Sequence, residues 1–157
     1  MEKRADLNMA LSINLSPMVP SLPRIRDRRK VDIRYMLVSP YASAHIFWDA
    51  KTNELVYELE EPILSDDEKS VLEQLESAML ELINVNIAVD KSLEATTNYI
   101  DKTARLLIDE LNVKLTEESY NKLFYYLFRD FIGFNKIDPL LRDYFIEDIE
   151  CNGVDTP

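Results

Sequence analysis

Four groups of side chains in this sequence have the types and spacing to do chemistry. Asp66, Asp67 and Glu68 are consecutive carboxylates, and Glu147, Asp148 and Glu150 nearly so. Such clusters can hold a cation or divide the work of general acid and base. Arg24, Arg26, Arg28, Arg29 and Lys30 crowd into residues 24–30, a density of cations that attracts anionic lipid or an acidic partner. Tyr120, Phe124, Tyr125, Tyr126, Phe128, Phe131 and Phe134 could stack bases or anchor a protein interface.

The elements that carry these groups narrow the choices. Ser65 followed by Glu68 reads as a capping box, so the first acidic run occupies a helix first turn, where carboxylates complement the positive end of the dipole. On a strand, Glu147 points opposite to Asp148, which separates any acid from its base. Most of the aromatics recur at helical spacing and belong to a core; Tyr125 and Tyr126 fall off that stripe and are candidates for a surface contact. The basic run has two simpler readings, a solvated linker or an arm folded onto the acidic body. His45, the one histidine, reads as a surface or hydrogen-bonded residue, and Cys151, the one cysteine, as a small apolar filler.

Composition excludes several function classes. The chain has 157 residues, 46% of them apolar, enough for a folded core. Two glycines, Gly133 and Gly153, cannot build a Walker A loop or a dinucleotide fingerprint, where bare backbone must approach phosphate at several positions. A single cysteine and a single histidine leave no Cys/His zinc cluster and no internal disulfide. Residues 1–30 hold seven basic side chains against three acidic ones, so +4 sits at the front of a chain whose net charge is −11, leaving −15 for the rest. A nucleic-acid ligand is disfavoured by that acidic body. No apolar run has the length of a membrane span or a signal-peptide core, which points to a reducing, cytoplasmic setting.

The expected fold is α+β and mainly helical, a small antiparallel β unit packed on a three- to four-helix bundle and ending in a strand. Pro17, Pro20 and Pro23 mark residues 1–30 as a flexible basic arm. Residues 31–62 alternate with period two as three strands, the last two a hairpin over 42–60 turning at 49–53. Residues 63–143 carry helical stripes: Leu72, Leu75, Met79, Leu82 and Ile83; then Leu93, Thr97, Ile100, Ala104, Leu107 and Leu111; then Tyr120, Leu123, Phe124, Leu127, Phe128 and Phe131. Gly133 is expected to end the third helix in left-handed backbone, with a short helix opening at Asp138-Pro139. Residues 144–157 read as a strand and an open Asn152-Gly153 hairpin, the truncated start of a following α/β domain.

Segment 133–153 carries Gly133, the turn Asp138-Pro139-Leu140-Leu141, Asp143, a strand ending in Asp148-Ile149, and Asn152-Gly153. In this order it resembles the segment that precedes the core of the secretion-superfamily ATPases of type II and type IV secretion, type IV pili and archaella. The hairpin from Tyr41 to Tyr57, followed by Glu61-Pro62 and a capped helix, resembles more loosely the archaeal branch. Phe134, Asn135 and Tyr144 depart from the family pattern. The resemblance implies the non-catalytic N-terminal domain of a hexameric assembly ATPase at the cytoplasmic face of the membrane. Its partners would be the C-terminal ATPase core of the same protein and a membrane platform protein; ATP and magnesium would belong to that core, with no catalytic, cofactor or metal residue in this chain. The fragment alone is then expected to be a monomer without ATPase activity. The alternative is a stand-alone acidic helical adaptor or regulator.

Overall fold

The computed structural model describes residues 13–15, 19–86, 92–150 and 153. It is the expected α+β arrangement: a three-stranded antiparallel sheet in the order β1-β2-β3, followed by helices. Strand β1 is Asp32–Val38, β2 Ala42–Asp49 and β3 Glu54–Glu60. Tyr35 pairs with Ala44 and Ala44 with Leu59; Ile33 pairs with Ile46 and Ile46 with Tyr57; so alternate residues build one apolar face. Asp49 sets the β2–β3 turn, its carboxylate accepting from the Lys51 N–H at 2.8 Å and the Thr52 hydroxyl at 3.2 Å, while Asn53 takes φ 61°.

Helix α1, Asp66–Asn86, opens on the expected reciprocal cap: Ser65 N–H donates to Glu68 Oε2 at 2.8 Å, and Glu68 N–H to Ser65 Oγ at 3.2 Å. Ser92 and Thr116 cap α2, Leu93–Glu110, and α3, Glu117–Phe131, by accepting from the Ala95 and Ser119 N–H groups. The three helices bury Leu72, Leu75, Met79, Ile100, Ala104, Leu107, Leu123 and Phe124 along their shared seam. Both ends of the α2 stripe reach solvent, Leu93 at 51% and Leu111 at 40% exposure, and so does Leu82 of α1.

A second core lies between the sheet and α3, with Tyr35, Leu37, Val38, Ala42 and Ala44 enclosing Tyr125. Within the expected arm, Ile13 and Leu15 pack against both cores and Asn14 N–H donates to the Ser39 carbonyl at 3.1 Å. Residues Arg28–Lys30 form a 3-10 turn. These parts of the arm lie against the body.

Two expectations at the C-terminal end are corrected. The left-handed residue after α3 is Asn135, φ 60°, and not Gly133. Glycine is required at 133 by close approach: a Cβ there would stand 2.6 Å from Asp138 Cγ and 2.7 Å from the Arg129 carbonyl oxygen. After a 3-10 turn, Asn135–Ile137, and the short helix α4, Asp138–Leu141, the expected strand does not form over 144–150. Alternation gives a segment two faces, but a strand also needs a neighbouring edge to accept its N–H groups, and no described strand lies beside this one. Cys151 and Asn152 lie outside the described residues, as does the Ile83 side chain.

Gly133→Ala is expected to destabilise the fold by about 1–3 kcal/mol, since backbone on one side and an anchored carboxylate on the other leave the methyl nowhere to go. Urea denaturation of the two proteins, compared at equal slope, checks it.

Candidate functional site

The basic segment is held in place by its one acid. Asp27 accepts from the Arg29 N–H at 3.1 Å, Lys30 N–H donates to the Asp27 carbonyl at 3.0 Å, and Trp48 N–H donates to the Val31 carbonyl at 3.1 Å, tying the turn to β2. The Arg28 guanidinium lies 5.0 Å from the centroid of the Trp48 ring. Arg24, Arg26, Arg28, Arg29 and Lys30 are all exposed. None of the five is within ion-pair distance of a carboxylate among the described residues.

Tyr125 is not the surface contact its spacing suggested. Tyr125 is 1% exposed, stacks on Tyr41 at 5.4 Å and donates its hydroxyl to Glu61 Oε1 at 2.7 Å. Tyr126 is half-buried and donates to the Pro62 carbonyl at 2.6 Å. Arg129, one turn on, donates to both Glu61 oxygens at 2.9 and 3.0 Å, grips Asp130 at 2.6 and 3.0 Å, and covers the Tyr126 ring at 4.7 Å. Burial pushes both phenols up, and for Tyr125 the Glu61 carboxylate adds to it. Burial opposes the Arg129 charge, but Asp130 and Glu61 more than offset it. Glu76 is pushed up by burial and then by Asp130. The off-stripe position is apolar because α3 has two partners, the bundle on one side and the sheet on the other.

In the segment that carries the family resemblance, two aspartates are buried and structural. Asp138 accepts from the Phe134 N–H at 3.1 Å and from the Arg142 guanidinium at 2.7 and 3.0 Å. Asp143 Oδ2 accepts the Tyr35 hydroxyl at 2.7 Å and the Tyr57 hydroxyl at 2.8 Å, and its Oδ1 the Phe145 N–H at 2.9 Å. Burial first, then the Asp143 charge, holds both tyrosines protonated. The sequence reading missed this pin, which joins residues 108 apart. Around the aspartates, Phe134, Ile137, Leu141, Tyr144, Phe145 and Ile149 remain 40–68% exposed.

Glu147, Asp148 and Glu150 are exposed, and the other chemically suggestive groups are occupied. Asp66 pairs with Lys69 at 2.9 Å, and Glu68 is used by the cap and stands 3.8 Å from Lys122. His45 is buried on the other sheet face, its Nδ1 accepting from Arg34 Nη2 at 3.1 Å and its Nε2–H donating to Asp32 at 2.9 Å. An open cleft of 680 Å³ between Tyr41, Pro62 and the start of α3 has several carboxylates on its walls. Glu60 is held by Arg34 and Ser43, Glu61 by Arg129, and Glu118 by Lys122. Among the described residues no group of three or more His, Cys, Asp or Glu could hold a metal ion, and no helix is long and apolar enough to cross a membrane.

A small α+β domain with an exposed basic turn and an exposed apolar flank is thus the class defined by the structure. No family model matches the chain. It is 34% identical over 98 residues to the uncharacterized protein MJ1288 of Methanocaldococcus jannaschii, a match that covers 62% of this chain and 38% of that protein. The chain therefore spans well under two thirds of its relative's length.

Two predictions follow from the buried hydroxyls. Asp143→Ala should cost about 2 kcal/mol more in the native chain than in a Tyr35→Phe, Tyr57→Phe background, because the first case orphans phenols that the second no longer has. Chemical denaturation of the four proteins closes that cycle. In alkali, Tyr35, Tyr57, Tyr120 and Tyr125 have folded pKa values above the unfolded value of about 10, so the native state holds more protons there. Their contribution is complete below pH about 10 and is lost as pH rises beyond it. Ultraviolet titration should show these phenolates forming only together with unfolding.

Proposed function

We propose that the chain is a non-catalytic interaction and coupling domain, the N-terminal region of an assembly ATPase of the secretion, pilus and archaellum type. In this reading the C-terminal motor core of the same protein and a membrane platform protein are its partners, at the cytoplasmic face. The observation that carries it is segment 133–149. Its family-like Gly133, Asp138 and Asp143 are spent on positioning: Gly133 makes room for Asp138, Asp138 holds Phe134 and Arg142, and Asp143 pins the segment to the sheet. Its apolar side chains are left outside. A flank fixed by buried carboxylates and faced with aromatics has the composition of an interface core.

Other features support the same reading. The carboxylates at the start of α1 and in the β2–β3 turn are engaged in a cap, a turn or an ion pair, uses that suit an adaptor. The relative is archaeal, as is the branch that the hairpin resembles.

The source gene, translated beyond the codon for Pro157, should encode G-x-x-x-x-G-K-[ST]. A stop codon with no such loop would favour the acidic adaptor instead. The purified chain should bind a core expressed from that frame and lose the complex on Phe134→Asp with Tyr144→Asp, two exposed positions where charge costs the fold little. By itself it should turn over no ATP, and turnover that persists through rigorous purification would refute the assignment.

A further inference from the structure

We infer that the turn at residues 24–30, with Trp48 and Leu55 beneath it, is a contact site for an anionic membrane surface. This stands apart from the ATPase reading, since it uses only the geometry of the turn and the charge of the body.

Five cations are displayed there, and none is neutralised by a carboxylate among the described residues, in a chain whose net charge is −11. Elsewhere arginines do find carboxylates: exposed Arg34 pairs with Glu60, and half-buried Arg105 and Arg142 with Asp101 and Asp138. The nearby acids are turned to other uses: Asp27 caps the turn, and Asp49 holds the β2–β3 turn while its pair, Glu54, lies with it on the opposite sheet face from Trp48 and Leu55.

The patch is also amphipathic. Arg28 covers the Trp48 ring, Trp48 pairs in register with Leu55, and Leu55 is 50% exposed. An indole with an apolar neighbour, an arginine over its ring and further exposed cations in the same segment matches the bilayer interface, where the ring settles at headgroup depth and the cations meet phosphate. That combination favours a bilayer over a nucleic acid, which offers phosphate without an apolar layer and must approach a body of charge −15 along its length. At physiological salt the Debye length is about 8 Å, so charges of the body farther than that from the bilayer are largely screened.

Co-sedimentation with vesicles tests the site. The probes are pure phosphatidylcholine and phosphatidylcholine with about 30% phosphatidylglycerol, each at about 50 mM and about 0.5 M salt. The whole chain should pellet with the anionic vesicles at low salt only. The triple variant Arg24→Ser, Arg26→Ser, Arg29→Ser removes exposed side chains outside every ion pair among the described residues, so its circular dichroism should be unchanged while partitioning falls roughly tenfold or more. Trp48→Ala should weaken what remains. Failure to bind anionic vesicles, equal binding to neutral ones, undiminished binding by the triple variant, or equally tight binding of duplex DNA in the same buffers would overturn the assignment.

Discussion

Glu61 sits where the sheet ends and the bundle begins, and it is the carboxylate on which their union depends. It takes two hydrogen bonds from Arg129 and one from Tyr125, both on one face of α3. Without Glu61 the buried Arg129 would keep Asp130 alone and the Tyr125 hydroxyl would lose its acceptor, and a buried polar group left unpaired costs more than replacing the whole set by apolar groups. The pair therefore acts mainly as a specification: it states which face of α3 meets the sheet. Once that face is fixed, Tyr125 enters the sheet core, while Phe124, Leu127 and Phe128 turn to α1 and α2.

This double duty of α3 explains what the sequence disclosed and what it withheld. The strands, the β2–β3 turn and the helix starts are local, set by alternation over a few residues or by a side chain reaching three positions along, so the Ser65 cap and the turn at 49–53 could be read directly, while the Ser92 cap, equally local, was not read. A second apolar face on a helix has no such signature, because off-stripe tyrosines look the same whether they meet solvent or another layer. Their hydroxyls are the missed clue. A buried phenol needs an acceptor, and Glu61 and Pro62 lie 64 residues away in sequence.

The C-terminal segment was legible as a motif and not as a geometry. Gly133, Asp138 and Asp143 stood out as residue types, but what they do depends on what approaches them. Gly133 is needed because the Asp138 carboxylate comes against it, and the left-handed turn passes to Asn135, whose side chain accepts from the next N–H at 2.7 Å. Asp143 stood in the sequence only as one residue of that motif; two tyrosines from the sheet make it the anchor of the segment. The strand expected over 144–150, on alternation and on the resemblance, is absent because no described strand offers an edge to pair with.

One face of the sheet organises these results in space. Along it, Leu37 and Ala42 meet Tyr125 of the bundle, Tyr35 and Tyr57 hold Asp143 of the C-terminal segment, and Trp48 with Leu55 lies beneath Arg28. Three strands long enough for a few side-chain pairs thus serve as a common base for the bundle, the apolar flank and the basic turn. Antiparallel register fixes the spacing between these attachments to multiples of the two-residue pleat. A one-residue slip of β3 against β2 would carry Tyr57 and Leu55 to the outer face together, breaking the Asp143 anchor and stripping the apolar layer from under the cations at once. The apolar flank and the basic turn consequently rest on one hairpin, and both depend on its register.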